Sequence, residues 1–190
     1  MPRFWGIIAE GTSDVDVIKA CIAKLVDAPN HKVAAMYDNG CNTLERKCAS
    51  WAKILLTKGC NALIIVRDKD TKSEKEIKET IAGALNPCPF EYRVIVVPVH
   101  AIEAWLLADE EAIRRVFNIK KPIKPIPNPE AELKPDKMLE RLVERLSKNK
   151  RYYLNTDHNG KIATHARLAK LKRCSSFIPL EEFVKRVSVA

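Results

Sequence analysis

Long apolar runs and glycine-rich loops are both missing from this sequence. No apolar run approaches the roughly 20 residues that a membrane helix needs. The N-terminal segment lacks the basic and apolar stretches of a secretory signal, so secretion is not expected. Only Gly11 follows the first predicted strand, where a dinucleotide-binding enzyme needs the pattern G-x-G-x-x-G. These absences disfavour a membrane protein, a secreted protein and a dinucleotide-dependent enzyme.

Paired cysteine motifs are missing as well. The six cysteines are scattered, with no C-x-x-C and no paired histidine spacing. Zinc sites and disulfide frameworks need such spacing, so neither is predicted. Scattered reduced thiols are typical of a cytoplasmic protein, which is the expected location.

Positive charge is what the sequence has in excess. The chain carries 33 Lys and Arg against 24 Asp and Glu, a formal net charge of +9. This balance favours a polyanionic partner, nucleic acid before membrane, although a well-solvated basic protein would have the same composition. The dense basic clusters lie in the later part of the chain. The candidate nucleic-acid-binding residues there are Lys120, Lys121, Lys124, Lys150, Arg151, Arg167, Lys170 and Arg173.

The first part of the chain alternates between strand and helix patterns four times. Continuous apolar runs predict strands near residues 3–9, 31–37, 61–66 and 92–99. Helical spacing predicts helices near residues 13–26, 43–59, 73–85 and 101–117, the first with Thr12 or Ser13 as N-cap. Strands that are apolar throughout are typical of a parallel sheet covered on both faces. The predicted fold class is therefore α/β, with a Rossmann-like parallel four-stranded sheet flanked by helices.

The chain is predicted to have three parts. These are an α/β domain over residues 1–117, a proline-rich loop over 118–130, and a basic helical extension over 131–190 packed on the same domain. The prolines of the middle segment prevent a regular element. Within the extension, helices are predicted from about Pro135, over 161–173 and over 180–187, whereas the polar segment YLNTDHNG (153–160) is predicted to be a loop.

Acidic side chains follow three of the predicted strands. Glu10 and Asp14 come after the first strand, Asp68 and Asp70 after the third, and Glu103 lies just beyond the fourth. The carboxyl ends of parallel strands share one edge of the sheet, where α/β folds bind ligands. Asp68 and Asp70 are predicted to point the same way, because alternate side chains of an extended segment do so. Oxygen ligands suit Mg²⁺ or Mn²⁺, so the sequence predicts a divalent metal site.

Each of these acidic residues also has a purely structural interpretation. Asp70 before a helix is in the position of an N-cap, and Asp14 is a first-turn acid of the kind that the helix dipole favours. Glu10 and Gly11 together are typical of a turn. The metal interpretation is preferred because all of these residues are expected at one edge of the sheet.

The segments GIIAEGTSDVDVIKACI and ALIIVRDKD together resemble a TOPRIM domain. This is the catalytic module of topoisomerases, bacterial primases, small ribosomal-RNA maturases and nucleases of the overcoming-lysogenization-defect group. The family pattern is a hydrophobic strand that ends in Glu-Gly, with an Asp soon after it, and a later strand that ends in Asp-x-Asp. The likeness covers roughly the first hundred residues. The block VHAIEAWLLADEEAI further resembles small standalone TOPRIM-like proteins, several of which are found near phage-defence genes.

The resemblance implies a role for each matching residue. The implied ligands for one or two Mg²⁺ are Glu10, Asp14, Asp68, Asp70 and Glu103, of which Glu10, Asp68 and Asp70 would also be catalytic. Lys69, Lys72 or Arg67 would add positive charge beside the phosphate of a bound nucleic acid, although solvated basic residues at a helix start would give the same sequence.

Three departures from the family pattern narrow the expected activity. Lys72 stands where topoisomerases have a third alternating aspartate, and no topoisomerase-like catalytic tyrosine region is visible. The chain also lacks a Walker A motif, so the ATPase that is fused to many related nucleases is not part of it. The prediction is a Mg²⁺- or Mn²⁺-dependent nuclease for DNA or RNA, with a role in phage defence implied by resemblance alone. Implied partners are nucleic acid, a separately encoded ATPase and a second copy of the chain. The alternative is a non-catalytic TOPRIM-like module that binds such an ATPase.

Overall fold

The structure, a computed structural model, describes residues 4–26, 31–38, 40–148 and 150–189. Its first part contains β1 (Phe4–Ala9), α1 (Thr12–Leu25), β2 (Lys32–Tyr37), α2 (Cys41–Thr57), β3 (Ala62–Val66), α3 (Glu74–Ala84) and β4 (Tyr92–Val96). Its second part contains α4 (Glu103–Leu107), α5 (Glu110–Phe117), α6 (Pro135–Ser147), α7 (Asn155–His165), α8 (Leu168–Leu171) and α9 (Ile178–Val189). No helix among the described residues is long and apolar enough to span a membrane.

The four strands form one parallel sheet in the order β2-β1-β3-β4. The register places Ile8 of β1 beside Ile65 of β3, and Val66 of β3 beside Val96 of β4. The predicted fold class is thus confirmed. The chain passes from β1 to β2 on one side and then returns to β3 on the other side of β1. The order of the strands therefore reverses between β1 and β3, and open α/β sheets bind ligands at the carboxyl ends of the strands at such a reversal.

Helices cover both faces of the sheet. On one face, Ile8, Leu63 and Ile65 pack against α2 and α3. On the other face, Trp5 and Ile64 belong to a larger core that also contains α1 and side chains of α4 to α9. The C-terminal helices therefore share an apolar core with the sheet, and α9 packs against β4. Alternation of the strand side chains between two faces makes both cores possible.

Three predicted helices differ from the structure. The helix predicted over 161–173 is divided between the end of α7 and α8, because Ala166 and Arg167 have an extended backbone. The predicted fourth helix is divided into α4 and α5, because Asp109 accepts a hydrogen bond from the Glu111 N–H at 3.2 Å and caps a new helix. The predicted first helix begins after Gly11 rather than after Thr12 or Ser13.

The predicted polar loop over 153–160 is also wrong, since α7 begins within it at Asn155. Tertiary packing overrides the polar composition there. Asn159 is fully buried, and Gly160 packs so closely on α1 that an added Cβ atom would lie 2.9 Å from the Asp16 Cβ atom. The segment is thus the first part of a helix whose buried side carries one polar residue, Asn159, beside Ile162 and Ala163.

Candidate metal centre

The carboxyl ends of β1 and β3 bring Glu10 and Asp68 together. Glu10 directly follows β1, and Asp68 lies two residues beyond the end of β3. Because the two strands are neighbours, the Glu10 Oε1 atom accepts a hydrogen bond from the Asp68 backbone N–H at 3.1 Å. Both residues therefore lie at the carboxyl ends of β1 and β3, where the order of the strands reverses.

One carboxylate oxygen of Asp68 is buried without a hydrogen-bond partner. This atom, Oδ1, contacts no donor among the described residues. Burial raises the pKa of Asp68 well above its ordinary value, and the charges of Asp14, Glu103, Glu10 and Asp70 raise it further. A buried carboxylate that lacks a donor and faces other carboxylates is unfavourable unless a proton or a cation compensates its charge.

Asp14 and Glu103 are buried carboxylates of the same group. Asp14 lies in the first turn of α1, where its Oδ2 atom accepts a hydrogen bond from the Gly11 N–H at 3.0 Å. Burial raises the pKa of Asp14 to about 7, and the charges of Glu103 and Glu10 contribute to the rise. Burial also raises the pKa of Glu103, which lies in the first turn of α4. Asp14 thus caps its helix and belongs to the carboxylate group as well.

Arg67 organises the outer side of this edge. Its side chain is only 2% exposed, and its guanidinium lies 3.2 Å from Asp70 Oδ2 and 3.4 Å from Glu45 Oε1. The same guanidinium lies 3.9 Å from Glu10 Oε1 and donates a hydrogen bond to the Asp68 carbonyl. Arg67 therefore fixes the loop after β3 and partly neutralises its outer carboxylates.

Asp68 and Asp70 were predicted to point the same way because their segment was expected to be extended. The structure does not have an extended segment here. Asp70 has a φ of 46°, in the left-handed region that aspartate tolerates better than most residues. Its side chain is 51% exposed and pairs with Arg67, whereas Asp68 Oδ1 is buried and has no described hydrogen-bond partner. The prediction of parallel side chains is therefore wrong, and Asp70 lies at the outer rim of the group.

A second group of possible ligand atoms lies beside the first. Glu10, Cys41 and Asp70 each offer one ligand atom, and these atoms lie within 4.8 Å of one another. Asp70 already pairs with Arg67. By contrast, no described cationic side chain forms an ion pair with the inner carboxylates, which are Asp14, Asp68 and Glu103. The inner carboxylates are therefore candidate ligands that no described cationic side chain neutralises, and Glu10 influences them and belongs to the second group as well.

Glu103 is oriented by residues from the C-terminal part of the chain. The Asn159 side-chain amide donates a hydrogen bond to Glu103 Oε1 at 2.9 Å. The Asn159 carbonyl oxygen in turn accepts a hydrogen bond from the Tyr153 hydroxyl at 2.5 Å, and this hydroxyl lies 3.5 Å from Glu103 Oε1. Hydrogen bonds of this kind hold a metal-binding carboxylate in one orientation.

The predicted basic residues fall into two groups. In the first group, Arg167 pairs with the buried Asp109 at 2.6 Å, and Lys170 and Arg173 pair with Glu110 at 3.7 and 3.5 Å. Lys72 belongs with them, since it pairs with Glu45 at 3.1 Å. The second group forms no ion pair with a described residue and consists of Lys69, Lys120, Lys121, Lys124, Lys150 and Arg151. Only this second group offers charge that is not already neutralised within the molecule.

A family model described as a domain of unknown function, DUF4276, matches residues 9–185 of the 190-residue chain. The chain belongs to the DUF4276 family. Comparisons with curated proteins and with solved structures gave no match. The DUF4276 match begins one residue before Glu10 and extends beyond Asn159, so it includes the inner carboxylates and the residues that orient Glu103.

Several residues of this DUF4276 site were not predicted from the sequence. They are Cys41, Glu45, Tyr153 and Asn159. Asn159 had a detectable signal, because it precedes the buried residues Ile162, Ala163 and Ala166 at helical spacing. Glu45 and Cys41 had none, since they lie on a helix far from β3 in the sequence.

Replacing Asn159 with alanine is expected to weaken Mn²⁺ binding by this DUF4276 protein about 10- to 100-fold. The variant removes the amide that holds Glu103 and leaves the other carboxylates in place. Isothermal titration calorimetry would measure the change. The control is Asn155→Ala, the same substitution at an exposed position of the same helix. Equal Mn²⁺ affinity in wild type and Asn159→Ala would exclude this positioning role.

Proposed function

We propose that this protein is a divalent-metal-dependent phosphodiesterase that cleaves nucleic acid. The observation that carries the proposal is the buried Asp68 Oδ1 atom, which has no described partner and lies in a group with Asp14, Glu103 and Glu10. The position of this group at the reversal of strand order supports the proposal, because open α/β sheets bind ligands there.

The side chains present fit Mg²⁺ or Mn²⁺. Oxygen ligands from Asp14, Asp68, Glu103 and Glu10 are of the type that these hard cations prefer. A bound cation would explain why several carboxylates lie together in a buried place, because they repel each other without one. Cys41 at the rim suits Mn²⁺ better than Mg²⁺ as an occasional additional ligand.

The basic surface supports a polyanionic substrate. The net charge of +9 is carried in part by lysine and arginine side chains that have no acidic partner among the described residues. Such charge raises the local concentration of a phosphodiester polymer and favours its binding through the backbone.

Two residues of the chain have proposed roles in the cleavage reaction beside a bound metal ion. A divalent ion would supply Lewis acidity at the scissile phosphate. Glu10 is only partly buried and has a raised pKa, because burial opposes its ionisation, so its carboxylate is suited to receive a proton from water. Lys69, which follows Asp68 and pairs with no described acid, is placed to add positive charge beside the phosphate.

The test is cleavage of plasmid, linear duplex, single-stranded DNA and transfer RNA with Mg²⁺, Mn²⁺ or EDTA. We expect cutting in the presence of metal, and a loss of about 10²- to 10⁴-fold in the Glu10→Gln variant. The matched control is Glu91→Gln, the same change at an exposed position before β4, at the opposite edge of the sheet.

Cleavage that survives EDTA, or that is equal in wild type and Glu10→Gln, would contradict the proposal. Binding of Mn²⁺ without cleavage of any of these substrates would favour the alternative, a metal-binding module that acts with another protein. The Glu91→Gln control separates a contaminating nuclease from a specific effect, because it is purified in the same way.

A further inference from the structure

A basic groove lies between the C-terminal ends of α5 and α6. Its volume is about 350 Å³, and its apolar floor includes Phe117, Ile119 and Leu146. Five basic residues line it, namely Lys120, Lys121, Lys148, Lys150 and Arg151. No acidic side chain is found among the described residues that line the groove. We call this feature the α5–α6 groove.

Helix dipoles account for only part of this charge. The C-terminal end of a helix favours a cation, and Asn118 and Lys148 directly follow the last residues of α5 and α6. This effect is confined to the last turn of a helix, however, and cannot explain Lys121, Lys150 and Arg151 beyond the helix ends. Five cations in one groove repel each other, since none has a described acidic partner. A polyanion would relieve this repulsion.

An exposed aromatic residue lies beside the groove. Tyr152 follows Arg151 and is 64% exposed, and its ring contacts no other ring among the described residues. Cations that hold the phosphate backbone next to an aromatic ring on which a base stacks are typical of sites for single-stranded nucleic acid. Bases of an intact duplex are not available for such stacking.

The α5–α6 groove is connected to the carboxylate group through short structural links. Arg151 precedes Tyr153 by two residues, so their Cα atoms are no more than about 7 Å apart. The Tyr153 hydroxyl lies 3.5 Å from Glu103. Phe117 at the groove floor stacks on His158 with ring centroids 4.6 Å apart, and His158 precedes the Asn159 that binds Glu103. A strand in the groove would therefore lie near the carboxylates.

We propose that the α5–α6 groove binds the phosphate backbone of a single-stranded nucleic acid, with Tyr152 stacking on one of its bases. The inference rests on the proposed function for its choice of nucleic acid as the polyanion, and it adds where the strand lies and that it is unpaired. Binding in the groove does not require cleavage, so the two proposals fail in different experiments.

The test is fluorescence anisotropy in EDTA with a labelled oligo-dT strand and a duplex of equal length. The groove variant combines Lys120→Glu, Lys148→Glu and Lys150→Glu. Its control combines Lys32→Glu, Lys53→Glu and Lys58→Glu, which change the net charge equally at exposed positions outside the groove. We expect at least about tenfold weaker binding of the single strand by the groove variant only. The slope of log affinity against log salt should fall by about 2, for three lost phosphate contacts.

A second variant, Tyr152→Ala, keeps every groove charge. We expect it to weaken single-strand binding about fivefold or more and to leave duplex binding unchanged. Equal affinities for the groove variant and its charge-matched control would overturn the groove proposal. An unchanged single-strand affinity in Tyr152→Ala, or an equal loss for strand and duplex, would overturn the assignment to single strands. A wild type that binds through the groove but never cleaves would refute the proposed function alone.

Discussion

The Asp68→Asn variant is expected to lose Mn²⁺ binding and yet to melt at a higher temperature than the wild type in EDTA. Asp68 has a buried oxygen without a described donor, and both burial and neighbouring carboxylates oppose its ionisation. An asparagine has almost the same shape, removes one negative charge and offers donors to the nearby carboxylates. We expect a stabilisation of about 1–2 kcal/mol, typical of substitutions that relieve a functional site. For a chain of this size the melting temperature would rise by about 2–8 °C.

Circular dichroism melts in EDTA and in Mn²⁺ would measure both effects. The wild type should gain stability from Mn²⁺ because the ion binds the folded state, whereas Asp68→Asn should gain little. Asp157→Asn is the control, since this residue is exposed on α7 and forms no ion pair with a described residue. A lower melting temperature for Asp68→Asn in EDTA, or an unchanged response to Mn²⁺, would show that Asp68 has a structural role instead.

The same melts taken across pH report on the inner carboxylates. A carboxyl group whose pKa is raised in the folded state contributes stability that is present below its unfolded pKa and is lost as the pH rises. For Asp14 this loss extends from the ordinary value of 3.8 up to about 7. The metal-free wild type should therefore lose stability over this interval, and Asp68→Asn should lose less because one repelling charge is gone. Mn²⁺ should reverse the trend, since it binds the ionised carboxylates.

Replacing Asp109 with alanine is expected to destabilise the protein by about 2–4 kcal/mol. This residue is fully buried, and its carboxylate accepts hydrogen bonds from the Arg167 backbone N–H at 2.8 Å and side chain at 2.6 and 2.8 Å. It also caps α5 through the Glu111 N–H at 3.2 Å. Burial alone would raise the pKa of Asp109, but the hydrogen bonds from Arg167 hold it below the ordinary value. Alanine would leave several of these donors unsatisfied.

Urea unfolding would measure this loss of stability. Arg167→Ala should cost less than Asp109→Ala, because the Arg167 side chain is 56% exposed and Asp109 would keep its hydrogen bonds from the Arg167 and Glu111 backbone N–H groups. Asp157→Ala, an exposed substitution of the same kind, should change little. If Asp109→Ala unfolds at the same urea concentration as the wild type, the predicted anchor between α5 and the segment before α8 does not exist. A large loss of stability in Asp109→Ala would show that the contact between Asp109 and Arg167 stabilises the fold.

The fold could be predicted because the strands carry an unambiguous signal. Runs such as ALIIV are apolar throughout, which a strand covered on both faces requires. Helix starts had a less reliable signal, since α1 begins after Gly11 and not after Thr12 or Ser13, whereas the serine that precedes α3, Ser73, does accept a hydrogen bond from the Glu76 N–H at 3.1 Å. The order of the strands had no local signal, since it depends on which elements meet after the chain has folded.

The site could be predicted only as far as strand ends define it. Glu10 and Asp68 follow two strands that turn out to be neighbours, so an argument from strand ends placed them at one edge. The conformation of Asp70 could not be predicted in this way, because a left-handed residue ends the extended segment. The burial of Arg67 beside three carboxylates was equally invisible, since its partners come from β1, α2 and the loop itself.

The α7 helix was missed because a polar residue occupies its buried face. Asn159 in a segment with Gly160 and Asp157 is typical of a loop, and only contacts with α4 and Tyr153 show why an amide is buried there. Buried polar residues are accepted where each of their groups finds a partner. Asn159 satisfies this condition, since its amide binds Glu103 and its carbonyl oxygen binds the Tyr153 hydroxyl.

The late position of Asn159 in the chain has a consequence for protein synthesis. When α4 has been synthesised, the growing chain already contains Glu10, Asp14, Asp68 and Glu103. It does not yet contain the amide that orients Glu103. Gly160 allows α7 to pack tightly on α1, so this amide reaches its place only when α7 has been synthesised and packs on α1. A truncated product that lacks α7 would therefore contain the acidic residues without the hydrogen bond that orients Glu103. Glu103 would therefore reach its final orientation only after α7 has been synthesised and has packed on α1.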